Sequence, residues 1–317
     1  MELALITVEK ILEMFVILFM GIAIRKCGMI DEASNKRFSG ILLNLVSPCV
    51  ILMSYQIDFD VQLLARLLQT AILTGISFAL SIVLANICVK KNGNSDFGVE
   101  RMAVIYSNCG FMGLPLIEGL LGSEGVFFMT AYITVFNLFV WSHGVMLMSG
   151  RASSFAKTMK SLIQPSMIAI FVSLILFITG VRFPSVIANP LSMIGKMNVL
   201  HGAFCTVTPL AMLIAGANLA DSDLLASLKR PRVYWLSAMK LLVVPLITLV
   251  ELMLLHPDRT VALTVLTAAA CPAGTMGTLF ALQYHKNGHY ASELFAVTTV
   301  LSLITVSVMV VLAGVFL

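Results

Sequence analysis

A chain of 317 residues with 59% hydrophobic and only 11% charged side chains has a mean hydropathy of +0.99, far above that of a water-soluble domain. This composition excludes an ordinary soluble enzyme or a nucleic-acid binder, because the net charge of +4 is spread over short connectors between apolar runs. The six cysteines, Cys27, Cys49, Cys88, Cys109, Cys205 and Cys271, have no CxxC spacing, so neither a disulfide framework nor a metal site is expected, and no cofactor.

A bilayer crossing takes about 20 apolar residues, and that window predicts ten spans. The first, about 4 to 24, carries Lys10 and Glu13 without a basic start or a cleavage site, and reads as a mature helix rather than a signal peptide. The second, about 40 to 57, contains Asn44 and Ser47-Pro48, and the third runs from about 63 to 89. The fourth, about 101 to 121, is interrupted by Asn108-Cys109-Gly110-Phe111-Met112-Gly113-Leu114-Pro115. The fifth, about 125 to 148, carries Asn137, Trp141 and His143, and the sixth runs from about 163 to 181. Pro184 and Pro190 mark an interfacial approach to the seventh, about 191 to 220, which contains Thr208-Pro209. The eighth, about 233 to 255, holds Lys240, which is expected to snorkel toward the inner surface. The ninth, about 261 to 284, is interrupted by Cys271-Pro272-Ala273-Gly274-Thr275-Met276-Gly277, and the tenth covers about 291 to 317.

Alternate connectors collect the basic residues. Arg25, Lys26, Lys36 and Arg37 follow the first span, Lys90, Lys91 and Arg101 the third, and Arg151, Lys157 and Lys160 the fifth. Lys229, Arg230 and Arg232 follow the seventh, and Lys286 the ninth. The positive-inside rule then puts both termini on the outer side of the plasma (inner) membrane. Five spans per half is an odd number, so two copies of one unit, residues 1–150 and 151–317, would sit with opposite orientation. The landmarks agree: Ser47-Pro48 recurs as Thr208-Pro209, and Pro115 as Pro272, each about half a chain length on. The predicted fold class is therefore all-α, integral to the membrane, with two inverted five-helix repeats and broken helices 4 and 9.

Glycines and a proline in mid-span free backbone donors and acceptors, which hydrocarbon cannot satisfy, so such breaks are expected to line a cavity. The half-helices starting near Pro115 and near Gly274 would each offer a positive dipole end, a setting for an anion. Acidic residues are expected only in connectors, such as Glu100 and Glu293, or near span ends, such as Glu251, and none at mid-depth, where a cationic substrate would need one. Backbone amides with Asn and Thr side chains would then hold a small carboxylate. Candidate binding residues are Asn108, Gly113 and Pro115 at the first break, Pro272, Gly274 and Thr275 at the second, Asn44, Ser47, Pro48 and Thr208 around the Ser/Thr-Pro kinks, and Asn137. Ser47 and Thr208 have an alternative role, bonding to carbonyls freed by the proline that follows. His143 and His201 are read as structural in preference to proton relays.

The run from Asn108 to Leu116, followed by Gly119, Gly122 and Glu124-Gly125, resembles the fourth-span signature of the auxin efflux carrier family, which includes plant PIN carriers and bacterial permeases linked to malonate or malate. The resemblance implies that spans 4 and 9 cross at their breaks, with a scaffold of spans 1, 2, 6 and 7 beside a moving unit. It also implies elevator-type alternation and a homodimer. Asn108, Gly113 and Pro115 match the first crossover, Pro272 the second, and Ser47-Pro48 a kinked second span facing the site. Where plant carriers have a long loop between spans 5 and 6, this chain has only about residues 149 to 162, and its ninth span holds one proline where plant members often have two. The expectation is a carrier of small organic anions within the lipid bilayer. A broken-helix anion channel and a sodium-coupled bile-acid-type symporter share the general plan, whereas intramembrane enzyme motifs are missing.

Overall fold

The computed structural model describes residues 2–90, 97–150, 163–199, 202–205, 207–220 and 230–317. Lys91, Arg151, Lys157, Lys160, His201 and Lys229, singled out from the sequence, lie outside these residues. In chain order the helices are α1 (Glu2–Lys26), α2 (Glu32–Ser54), α3 (Val61–Cys88), α4 (Phe97–Ile105), α5 (Cys109–Ser149), α6 (Pro165–Thr179) and α7 (Ser185–Gly195). A short hairpin, β1 (Lys196–Val199) and β2 (Gly202–Cys205), precedes α8 (Val207–Ala220). There follow α9 (Pro231–Leu255), α10 (Arg259–Ala270), α11 (Thr275–Gln283) and α12 (Gly288–Phe316).

Among the described residues, the helices α2, α3, α5, α9 and α12 are long and apolar enough to cross a bilayer by themselves. Their outward faces are apolar: α3 exposes Leu68, Ile72, Leu80, Val83 and Ile87, and α12 exposes Ile304, Val308 and Val315. Stripes of this kind fit lipid and would be untenable in water. Hydroxyls on the same helices bond back into their own turns, Thr70 to the Arg66 carbonyl at 2.8 Å, Thr74 to that of Thr70 at 2.7 Å and Ser81 to that of Ser77 at 2.8 Å. These three hydroxyls are buried on the inward side of α3, and the bonds leave none of them unpaired in the interior.

Helix starts follow local chemistry. Asp31, Asp60, Asp258 and Asn287 cap α2, α3, α10 and α12 by accepting from the backbone N–H of Ser34, Gln62, Thr260 and Tyr290. Of the four π-helical turns among the described residues, three, Leu42–Val46, Cys109–Gly113 and Met239–Val243, end two residues ahead of a proline, namely Pro48, Pro115 and Pro245, and the fourth, Val140–Gly144, has no proline after it. The cause is common to all three. Proline has no N–H for the carbonyl four residues earlier, and its ring crowds that carbonyl, so the turn widens upstream and the helix continues.

The seventh span, expected to be continuous over 191 to 220, is instead divided by the β1–β2 hairpin, with Lys196 paired to Cys205 and Val199 to Gly202. Pro209 in the first turn of α8 loses nothing there by lacking an N–H, so the helix restarts at Val207. Thr208-Pro209 is thus a helix start, whereas Ser47-Pro48 lies within α2. Gly122, with φ 62° and ψ −151°, breaks the path of α5 in a region of backbone space that is essentially restricted to glycine. α1 and α8 meet backbone to backbone: a Cβ on Gly216 would lie 2.0 Å from the Leu18 carbonyl oxygen, and one on Gly21 2.4 Å from that of Leu213.

Glu100 and Glu293, expected in connectors, are instead buried on α4 and α12. Arg232 grips Glu100 with two bonds, Nε to Oε1 at 3.0 Å and Nη2 to Oε2 at 2.6 Å, and the Tyr290 hydroxyl donates a third at 3.0 Å. Arg230 reaches Glu293 at 3.0 Å and His289 lies 3.1 Å from it. Two arginines read as topological markers therefore also fasten α9 to α4 and α12, and they offset the desolvation cost of two ionised carboxylates in a low-dielectric interior.

Candidate functional site

The two interrupted stretches lie side by side. Ser107 and Ala273 form an antiparallel backbone bridge. The Asn108 N–H donates to the Pro272 carbonyl at 2.8 Å, and the Gly274 N–H donates to the Tyr106 carbonyl at 2.9 Å. Each break thus satisfies part of the other's freed backbone. The approach is close: a Cβ on Gly274 would lie 3.0 Å from the Ser107 carbonyl oxygen.

On one side of this junction is a cavity of about 120 Å³. Asn108, Cys109, Gly110 and Phe111 line it from the start of α5, Gly274, Thr275 and Met276 from the start of α11, Leu43, Ser47 and Ile51 from α2, and Ile133, Phe136 and Asn137 from the later part of α5. Ser107, Leu114, Gln164 and Ser166 complete the wall, and none of these lining residues is acidic. Neither helix start carries a side-chain cap, in contrast to the capped starts of α2, α3, α10 and α12. An uncapped α-helix begins with N–H groups that have no intrahelical partner and a partial positive charge of about one half. Two such starts converge on one small cavity.

Asn108 adds a side-chain donor. It is 3% exposed, and its Nδ2 has no hydrogen-bond partner, whereas its backbone is fully engaged, with the carbonyl accepting from Met112 and Gly113 at 3.0 and 3.1 Å. Asn137 lines the same space, but its Nδ2 donates to the Ile133 carbonyl at 2.8 Å and approaches the Met167 sulfur at 3.6 Å. Trp141 packs edge-on against Phe280 with ring centroids 5.1 Å apart, and His143 Nδ1 lies 3.0 Å from the Tyr106 hydroxyl.

Of the residues singled out from the sequence, Ser47, Asn108, Asn137, Gly274 and Thr275 come together around this cavity, and the others do not line it. Gly113 faces packing, with Met129, Cys109 and Cys271 around the position a Cβ would take. Pro115 lies inside α5 beyond the π turn, so that half-helix starts at Cys109 rather than near the proline. Pro272 contributes its carbonyl to the junction and lines a separate small pocket with Met14, Phe15 and Met112. Asn44 is exposed, and Pro48 and Thr208 are partly exposed.

Lys240 departs most from expectation. It does not reach the surface: it is 1% exposed, and its Nζ donates to Ser107 Oγ at 2.6 Å and to the Ala269 carbonyl at 3.2 Å. The π turn Met239–Val243 ahead of Pro245 carries it. A lysine five residues before a proline within an apolar run was the sequence signal for it. Ser107, also missed, adjoins Asn108 and links the lysine to the cavity wall.

A family model described as a membrane transport protein matches the chain twice, over residues 6–162 and again over residues 154–310. The chain belongs to this membrane transport protein family. The resemblance to auxin efflux carriers read from the Asn108–Pro115 run is borne out at that level. An uncharacterized transporter of Methanothermobacter thermautotrophicus is 24% identical over 303 residues, covering 94% of this chain and 95% of that protein. With its apolar helices, the molecule is a multi-pass integral membrane transporter and not an enzyme.

Proposed function

We propose that the protein is a secondary carrier that moves small organic anions, carboxylates foremost, by alternating access around the junction of its two interrupted helices. The observation that carries this reading is the convergence of two uncapped helix starts and the unpartnered Asn108 amide on one cavity whose lining holds no acidic residue. Main-chain N–H groups at helix starts bind anions directly, and an acid-free wall disfavours cations. The small volume favours a solute of few heavy atoms.

In this reading residues 1–150 and 151–317 are two inverted five-span repeats, with α4–α5 and α10–α11 as the crossing pair and both termini on the outer side of the plasma membrane. The antiparallel pairing of Ser107 with Ala273 is what such a relation requires. α1, α2, α6, α7 and α8 form the scaffold, which assembles as a homodimer, and the remaining helices move as an elevator. A second space, of about 600 Å³ and lined by Arg25, Lys36 and Glu32 together with Asn35 and Asn218, shares Thr275 with the junction cavity and serves as the inner vestibule.

Two measurements test this. A panel of mono- and dicarboxylates is screened for a rise in the melting temperature of the purified protein, since a ligand that binds only the folded state stabilises it. Flux of the best ligand is then followed in proteoliposomes. A carrier gives saturable uptake and counterflow of labelled substrate, whereas linear flux without counterflow would identify a channel, and a response to cations alone would end the anion reading.

A further inference from the structure

We infer that the Lys240 ammonium is a tethered cation in the position a coupling sodium ion would occupy, so that the broken-helix junction works without a bound sodium ion. In transporters built on discontinuous helices, coupling cations are held by unwound carbonyls and by the C-terminal ends of half-helices. Ala269 is in the last turn of α10, and its carbonyl accepts from Lys240 Nζ at 3.2 Å. The second acceptor, Ser107 Oγ at 2.6 Å, belongs to the other break, so one ammonium joins both interrupted stretches. Ser107 Oγ also lies 3.3 Å from the Ala269 carbonyl and donates to it, which leaves its lone pairs for the lysine. Nζ thus makes two oxygen contacts, one to each interrupted stretch, and the Ser107–Ala269 bond joins those two oxygens to each other.

No carboxylate pairs with Lys240 among the described residues; its ionisable neighbours are the thiols of Cys109 and Cys271. A fully buried lysine with no acidic partner is rare, and it persists where its charge has a task. The negative end of the α10 dipole supplies the compensation that a carboxylate would otherwise give. The placement is also specific to one repeat. On the first-half helix α3, Phe78 packs against Tyr106 with centroids 5.8 Å apart, so the end of α4 meets an aromatic ring rather than a cation. Because Ser107 lines the substrate cavity beside Asn108, the fixed charge also stands one residue behind any anion bound there.

The role at the junction can be tested without a substrate; only the consequence for anion affinity rests on the carrier reading. Melting of the purified wild-type protein is compared in sodium chloride and choline chloride at equal ionic strength, and no difference is expected. Lys240→Ala removes the cation and leaves room for one. Its melting temperature should fall, and sodium or n-butylammonium should restore it saturably while choline should not. If Lys240→Ala does not fold, Lys240→Gln is held to the same criterion. Saturable sodium stabilisation of the wild type would overturn the inference, and so would a substituted protein that melts like wild type and ignores both cations. In a third arm, Lys240→Met should bind malonate at least tenfold more weakly. If malonate and the other carboxylates fail to bind even the wild type, the carrier reading fails, while the cation responses still decide the role of Lys240.

Discussion

Truncating Asn108 to alanine separates the two roles this residue could have. Its main chain holds the junction together, through the N–H bond to the Pro272 carbonyl at 2.8 Å and the carbonyl bonds from Met112 and Gly113, and alanine keeps all of these. The side chain loses a buried donor that has no partner in the protein. Leaving such a group buried costs about 1–3 kcal/mol, so the ligand-free protein should melt at the same temperature or higher. A bound carboxylate, by contrast, loses a charge-assisted hydrogen bond of about 1.5–3 kcal/mol, which corresponds to an affinity about 10- to 150-fold weaker. Stability and affinity therefore move in opposite directions, which a general folding defect cannot imitate. Melting with and without ligand gives the first, and a titration by counterflow in proteoliposomes gives the second. Wild-type affinity in Asn108→Ala, or a clear drop in its ligand-free melting temperature, would refute the reasoning. Asn108→Asp adds a negative charge at nearly the same shape and should abolish anion binding altogether.

Pro115→Ala returns an N–H to the second turn of α5, allowing the π turn Cys109–Gly113 to tighten and rotate the cavity wall; transport should fall while the purified yield holds, and unchanged uptake would count against the widened turn as a site element. Gly216→Val places a Cβ 2.0 Å from the Leu18 carbonyl and should destabilise by about 1–3 kcal/mol or more, read as a lower melting temperature; a neutral effect would mean that α1 and α8 part easily. Arg232→Ala strands the buried Glu100 with only the Tyr290 hydroxyl. Breaking a buried pair costs about 3–5 kcal/mol, and the low end applies because the arginine is partly exposed. Glu100→Gln combined with Arg232→Met should recover most of that loss, a double-mutant comparison that shows whether the pair is coupled.

The break positions and their polar companions were legible from the residues. A proline after two glycines in an apolar run has few uses in lipid, and an asparagine beside it has fewer. Elsewhere local rules compete. Thr208-Pro209 reads like Ser47-Pro48, but proline fits a helix start as well as a widened turn, and only the hairpin before it chose the former. Asn44 is three residues from Ser47 yet is exposed while Ser47 lines the cavity. The π turn Leu42–Val46 changes the angular spacing of side chains between them, and no periodicity written for 3.6 residues per turn captures that.

Composition and hydropathy alone determined that this chain lives in a bilayer, because the cost of exposing apolar surface to water adds up residue by residue and needs no knowledge of contacts. Which charges face one another was decided only in three dimensions. Lys240 and Ser107 are far apart in sequence, as are Glu100 and Arg232, and each pair meets where helices from different halves pack together. An ionisable side chain in a membrane helix can reach for the interface or turn inward to a partner; the choice depends on whether an oxygen from a distant segment stands within hydrogen-bond reach, and that is a property of the folded chain rather than of its local residues.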